Sequence, residues 1–445
     1  MVDLNTIADV LRTVEQNRIR FVDLQFTDIA GMVKNVTIPA TALRDALEKG
    51  VQFDGSSIEG LARVAESDMH LRPDPATLAI LPWLGGDEAS ARLICDITTP
   101  EGQPALGDPR AVLRRALDEA AQLGFTYNTG PEIEFFLLKP QPGGGLLPVT
   151  PHDAGGYFDA PSDLAAGLRR QMANALAAFH IQVESMHHEV STGQHEIDCR
   201  YSDGLTTADS VVTLRQALKI IAQQNGLYCT FLPKPVRGMS GSGMHVHQSL
   251  AYRANGRNAF SDPGDPHGLS QVARHFIAGQ LAHARGMCAV LAPLVNSYKR
   301  LASGYEAPVQ VSWARLNNSA LVRVPRASNT EATRLELRCP DPSCNPYLAF
   351  AVMLSAGLDG IRRGLEAPSA AEQNIFQAEK GRPAALGVLP GSLNQALDAL
   401  EADEVVCAAL GPQICERFIS AKRLEWDDFR QEVSPWELEK YLPLY

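Results

Sequence analysis

No Cys-x-x-Cys pair occurs in the sequence, although it holds eight cysteines (Cys95, Cys199, Cys229, Cys288, Cys339, Cys344, Cys407 and Cys415). Their scatter excludes a zinc ribbon or a disulfide frame, and they read as reduced, mostly buried thiols. An apolar run of 18 residues is also missing, so no membrane span is expected. The first residues lack a basic region followed by an apolar stretch, so the expectation is a cytoplasmic protein without a signal peptide. Positive charge is in short supply: 40 Lys and Arg face 51 Asp and Glu, for a net charge of −11. That balance argues against a nucleic-acid or anionic-membrane partner. It leaves room for an anionic substrate, because a local cluster of arginines or metal ions outweighs the global field. Neither Gly-x-x-x-x-Gly-Lys-Ser/Thr nor Gly-x-Gly-x-x-Gly occurs. A nucleotide site would therefore be neither a P-loop nor a Rossmann crevice. Internal repeats and low-complexity tracts are absent too. What remains is an ordinary folded composition, 45% apolar and 20% charged over 445 residues, enough for two or three domains with a large core.

The first hundred residues read as a small α+β unit. Helical spacing runs over residues 4–18, Phe21 to Gly31 reads as a strand, and a second helix covers 41–49 and closes at Gly50. Residues 53–58 are rich in turn formers. Leu78–Leu84 and Ala91–Ile97 read as short strands. A Pro/Gly-containing link near Thr98–Gly107 marks a boundary, giving domains of residues 1–103 and 108–445. Asp108 and Pro109 then suit the N-cap and first position of a helix with Val112, Leu113, Ala116, Leu117 and Ala120 as its apolar stripe, closed by Gly124.

That helix leads into Gly130-Pro131-Glu132-Ile133-Glu134-Phe135-Phe136, where acidic and apolar residues alternate at the strand period. Glu132 and Glu134 share one face: a solvated strand face, or one end of a cation site. Farther on, His187 to Asp198 contains Thr192-Gly193, a natural hairpin centre. A two-residue loop would set Glu189 opposite Glu196, tolerable with a cation between them; a longer loop would keep them apart. Gly238 to Ser249 is a Gly-rich turn followed by His245 and His247, two apart and so on one strand face. Arg334-Leu335-Glu336-Leu337-Arg338 is either a surface ion-pair ladder or a metal-binding Glu flanked by guanidiniums suited to phosphate or carboxylate. Asn296 to Leu301 precedes Ser303 to Pro308, where Gly304 and Pro308 bracket Glu306 as in a mobile loop over a site. Together these give five glutamates and one histidine as candidate ligands. An oxygen-dominated set without thiolate points to Mg²⁺ or Mn²⁺, and six ligands suit two ions. Two hard cations beside several arginines suit phosphoryl transfer from ATP.

These stretches, with Phe53 to Ile58, Glu66 to Met69, Gly155 to Asp159, Arg334 to Tyr347 and Glu425 to Tyr445, occur in an order that resembles the class I glutamine synthetases over essentially the whole chain. The resemblance implies an α+β protein: a small N-terminal β-grasp domain and a large catalytic domain with a curved, mainly antiparallel sheet flanked by helices. It implies glutamate, ammonium and ATP as substrates and two or more Mg²⁺ (or Mn²⁺) per site. It also implies a homo-oligomer, a dodecamer of two stacked hexamers, with each site between subunits and Asp54 lent by a neighbour. Glu134, Glu189 and Glu196 match the ligands of one metal, and Glu132, His245 and Glu336 those of the metal nearer the nucleotide. Arg300 matches the arginine on the substrate α-carboxylate, Arg338 one near the reacting carboxylate, and Arg334 a phosphate-stabilising one. Glu184, His247 and Ser249 fall at nucleotide positions. Asp54, Tyr157, Glu189 and Glu306 match the ammonium pocket, while Ser57, Ser240 and Gly241 fall in substrate-binding stretches.

The sequence departs from the family pattern at Ser240 (usually Asn), at Asn318 (usually Arg, with Arg315 a possible substitute) and at Asn225. Phe376 stands near the tyrosine that adenylylated members modify, so that control is not expected. The departures keep a γ-glutamyl-amine ligase, of polyamine or ethanolamine type, as a second reading and a non-catalytic structural relative as a third. Asp54, Tyr157 and Glu306 favour ammonia, and the retained ligand set favours catalysis. At the end of the chain, Ser434-Pro435-Trp436-Glu437 reads as a capping box. The apolar tail 441–445 would dock on another subunit or on its own domain.

Overall fold

The structure is a computed structural model that describes residues 6–58, 68–141, 143, 149–302, 307–372 and 387–445. The N-terminal unit holds β1 (Phe21–Thr27), β2 (Val33–Pro39), β3 (Val51–Asp54), β4 (Asp68–Pro73), β5 (Ala79–Ile80) and β6 (Ser90–Thr98). They form one sheet in the order β2-β1-β6-β4-β3, with β5 added beside β6. β1 and β6 run parallel, and the other pairs are antiparallel. Alternation in β1 buries Val22, Leu24 and Phe26, and the helix Ile7–Gln16 lays Val10 and Val14 on the same core. The strand expected over Leu78–Leu84 shrinks to Ala79–Ile80, because Pro82 has no N–H to continue the ladder. β2 and β4 went unrecognised in the sequence. β3 runs into the stretch read as a turn, which begins only at Gly55.

Asp108 links the units. One carboxylate oxygen caps the helix Pro109–Gln122 through the Arg110 N–H at 3.0 Å, and the other takes the Ile97 N–H of β6 at 3.0 Å. Arg110 is itself buried. It reaches Asp74 of the first unit at 2.8 Å and Asp209 of the second at 2.9 Å.

The second unit contains β7 (Phe125–Lys139), β8 (Thr150–Pro151), β9 (Val183–His188), β10 (Gln194–Cys199), β11 (Ser202–Asp203), β12 (Tyr228–Thr230), β13 (Met244–Tyr252), β14 (Trp313–Ala314), β15 (Val322–Arg323) and β16 (Leu335–Leu337). The order is β14-β15-β16-β13-β7-β10-β9, with the short β8, β11 and β12 also on β7. All pairs are antiparallel except β14 with β15. One sheet face sends Ile133, Phe135, Ile197, Met244, Val246, Leu335 and Leu337 into the main core, which the helices Gly204–Gln224 and Pro346–Arg363 complete. The period-two rule leaves the opposite face for the charged residues between them.

All eight cysteines are free, and Cys407 alone among them is not fully buried. Among the described residues no helix is long and apolar enough to cross a membrane. The capping box forms in both directions between Ser434 and Glu437. Beyond it Leu442, Leu444 and Tyr445 stay exposed rather than packing on their own unit.

Candidate active site

Strand register assembles the site. On β7, Glu132 and Glu134 point away from the core. Glu134 lies opposite Glu196 and Glu132 opposite Asp198 on β10. On the other side, Glu132 pairs with His245 of β13, and His247 pairs with Glu336 of β16, which in turn pairs with Arg323 of β15. Residues far apart in sequence thus meet on one face of carboxylates, imidazoles and guanidiniums.

Ligand atoms of Glu132, His245 and Glu336 lie within 4.8 Å of one another, as the resemblance implied for one metal. The Glu132 carboxylate spans His247 Nε2 at 2.6 Å and His245 Nδ1 at 3.3 Å. Glu336 is fully buried, with Arg338 Nη1 at 2.6 Å and the Arg323 guanidinium on its other oxygen. Burial alone would raise the Glu336 carboxyl. Arg338, His245, His247 and Arg323 outweigh it and hold the group below the usual glutamate range.

The second implied set is arranged differently. Glu189, Glu134 and Glu196 do not converge at that distance; His187, Glu196 and Asp198 do. The hairpin register explains the change. Glu189 N–H donates to the Gln194 carbonyl at 2.8 Å, so the loop is residues 190–193 rather than Thr192-Gly193 alone. His187, not Glu189, then stands opposite Glu196. The slip is two residues, so the same side chains keep to the same face. Neighbouring carboxylates repel, and each takes the nearest donor. Glu189 takes His187 Nε2 at 2.9 Å, and Glu134 takes Gln194 Nε2 at 2.8 Å and the Gly243 N–H at 3.0 Å. Burial, then neighbouring Glu189, pushes Glu134 up to about 7; burial, then Glu134 and Asp198, pushes Glu196 up to about 11. Carboxylates so short of positive charge, all hard oxygen donors beside imidazole, fit divalent Mg²⁺ or Mn²⁺.

Glu184, His247, Ser249 and Arg334 all line one cavity of about 480 Å³ beside Gly130 and Glu132. The β9–β10 register shift at Asp198/Cys199 skips Glu184, a bulge that turns its side chain toward this cavity. Arg334 Nε donates to His247 Nδ1 at 3.2 Å, and Tyr201 donates to Ser249 Oγ at 2.6 Å. Arg300 is buried beneath the Gly-rich turn, its Nη1 on the Cys339 carbonyl and its Nη2 on the Arg338 carbonyl, both at 2.9 Å. A Cβ on Gly243 would sit 2.7 Å from Arg300 Nη2, and one on Gly241 2.5 Å from the Pro233 carbonyl. Those glycines are what lets the turn lie on the guanidinium. Ser240 N–H donates to Ser191 Oγ at 2.8 Å, which ties this turn to the hairpin.

Tyr157 stacks on Phe158 at 3.9 Å and meets His187 edge-on at 5.6 Å. Asp54 lies at the end of β3, exposed, accepting the Ser56 N–H at 2.9 Å and the Ser56 hydroxyl at 2.7 Å. Glu306, Phe376 and the Ser57 side chain lie outside the described residues. Arg315 Nη1 donates to the Pro266 carbonyl at 3.4 Å. Asn225 is a helix C-cap held by the Ile221 carbonyl at 2.8 Å. His187, Asp198, Tyr201 and Arg323 join the constellation without having been singled out as site residues. Parity with Glu196 pointed to Asp198, whereas the two-residue β15 offered no pattern for Arg323.

Two family models match the chain: "Glutamine synthetase, beta-Grasp domain" over residues 18–100 and "Glutamine synthetase, catalytic domain" over 106–441. Curated glutamine synthetases of Thermus thermophilus and Thermotoga maritima are 51% and 48% identical, each over 99% of this chain and at least 99% of their own. That of Staphylococcus aureus is 46% identical over 99% of both. A solved structure described as a "GmaS/ADP complex" superposes with a TM-score of 0.88, at 32% identity and with full coverage of both chains. Likeness of this extent, through both units, places the chain in the glutamine synthetase family.

Proposed function

We propose that the protein is a glutamine synthetase, a glutamate–ammonia ligase driven by ATP with divalent metal. The observation that carries this is the Glu132–His245–Glu336 triad beside a cavity lined by Arg334 and Glu184. The full-length identity of 46–51% to curated glutamine synthetases supports ammonia over an organic amine as acceptor. Carboxylate is a poor acyl donor. ATP phosphorylates the glutamate side chain, releasing ADP, and ammonia displaces phosphate to give glutamine, shedding one proton.

The residue roles proposed are those that the resemblance to the family implies, and their chemistry is consistent with it. Divalent ions, bound by Glu132, His245 and Glu336 and by Glu134, Glu189 and Glu196 once an ion draws these three together, would screen the phosphate oxygens and lower the barrier to transfer. Arg334 and Arg338 offer fixed guanidiniums to the transferring group, and Arg300 orients the amino-acid end. Glu184, His247 and Ser249 bind the nucleotide. Tyr157 and Glu189, with Glu306 and a neighbour's Asp54, form an anionic pocket that collects ammonium and takes its proton. Ser57, Ser240 and Gly241 shape the substrate site. We take residues 1–103 and 108–445 as the domains, two or more Mg²⁺ (or Mn²⁺) per site, a dodecamer as the assembly and the cytoplasm as its place.

The test is phosphate release from ATP with glutamate and Mg²⁺, with ammonium or a panel of small amines. Ammonium-dependent release with stoichiometric glutamine is expected. Turnover with an amine but not with ammonium would move the protein to the amine ligases, and none with any acceptor to the non-catalytic relatives.

A further inference from the structure

Asp153 belongs to none of the charged-face positions, yet it is buried in the loop after β8. One of its oxygens takes two hydrogen bonds: from His188 Nε2 at 2.9 Å and from the Gly193 N–H at 2.9 Å. His188 is wholly enclosed, and its Nδ1 donates to the Glu189 carbonyl at 2.7 Å. One carboxylate therefore holds both shoulders of the 190–193 loop, the last residue of β9 and the residue just before β10.

The same histidine reaches the segment that carries Tyr157. Phe158 N–H donates to the His188 carbonyl at 3.3 Å. Gly155 lies directly against the imidazole, where a Cβ would stand 2.8 Å from His188 Nε2. Phe158 also meets the His187 ring at 4.9 Å. Asp153, His188 and the Tyr157–Phe158 turn thus form a closed circuit. Its outputs are the backbone of Glu189 and the placement of Tyr157.

We propose that Asp153, acting through His188, is a positioning residue for the nitrogen-acceptor site, fixing Glu189 and Tyr157 relative to each other. This rests on the ligase reading above. Neither Asp153 nor His188 touches substrate on this reading. Replacing Asp153 leaves two buried donors unpaired and frees the hairpin from the Tyr157 loop. An acceptor pocket loosened by an ångström loses affinity for a small cation far more than for ATP, which is bound by other strands.

The experiment is steady-state kinetics of the full-length, assembled enzyme, varying ammonium, glutamate and ATP in turn. Asp153→Ala is expected to raise the ammonium KM by about tenfold or more while the ATP KM stays within about twofold. Asp153→Asn keeps an oxygen acceptor for both donors and is expected to recover most of that loss. His188→Gln breaks the same circuit from its other member and decides the matter should Asp153→Ala fail to fold. Combined with Asp153→Ala, it should add little to its own effect, the non-additivity of a coupled pair. Equal losses toward all three substrates, an unchanged ammonium KM, or additive effects would overturn the positioning role while leaving the ligase reading intact. Wild-type enzyme without ammonium-dependent phosphate release would overturn both.

Discussion

At the scale of single residues, Glu336 shows how a buried charge is made tolerable. It has no exposure, and two guanidiniums and two imidazoles face it. An isolated buried carboxylate would take up a proton; this one is held ionised by its neighbours. Replacing it isosterically keeps the shape and removes the charge. In Glu336→Gln we expect Mn²⁺ affinity to fall by at least about tenfold, read by the paramagnetic signal of free ion during titration. Glu184→Gln, in the lining of the cavity, should leave that affinity unchanged and weaken ATP instead. Equal Mn²⁺ affinity in Glu336→Gln and wild type would remove Glu336 from the ion site. Much at this scale was legible in the sequence, because alternation with Ile133 and Leu335 already put Glu132, Glu134 and Glu336 on faces opposite the core. Arg323 was not: a strand of two residues has no period to read.

At the scale of elements, the site depends on register, and register is where local sequence says least. Thr192-Gly193 satisfies the chemistry of a two-residue turn, but Asp153, some 40 positions away, takes the Gly193 N–H and fixes a four-residue loop. A contact that distant in sequence leaves no local pattern. Helices show the converse, since Asp108-Pro109 and Ser434 to Glu437 announce their caps within four residues, and both form as read. Helix packing adds a pH dependence. His283 sits between helices Gln271–Ala282 and Ala284–Leu291, with Asp403 at 2.9 Å and Asp359 at 3.0 Å. Burial would lower its pKa, but the two carboxylates outweigh it and raise the group above its usual 6.5. A raised folded value means that the stabilisation is complete below the unfolded pKa and is lost as pH rises through the folded one. His283→Gln should therefore be less stable than wild type at acidic pH, by roughly 1–3 kcal/mol. The gap in urea midpoint should narrow steadily toward alkaline pH. A gap constant from acid to alkali would show that the pair contributes through shape rather than charge.

At the scale of the whole molecule, the charged face and Asp54 belong to different units of the chain. The Asp54 carboxylate is exposed, and its described partners are both on Ser56. Tyr441, Leu442, Leu444 and Tyr445 leave an apolar end open to solvent, where burial against another subunit would be favourable. Both features fit a ring in which one subunit completes the site of the next, and that arrangement has a consequence no single-chain site can share. Asp54→Ala and Glu336→Gln should each abolish most activity alone. Co-expressed in equal amounts, the two chains would assort at random around such a ring. A site between neighbours then draws an intact Asp54 and an intact Glu336 in about one case in four, so roughly a quarter of wild-type activity should return. If each chain supplied its own Asp54, every site in the mixture would carry one lesion or the other, and activity would stay at the level of the single variants. The recovered fraction, measured against the mixing ratio, therefore separates a site shared between subunits from one built within a chain.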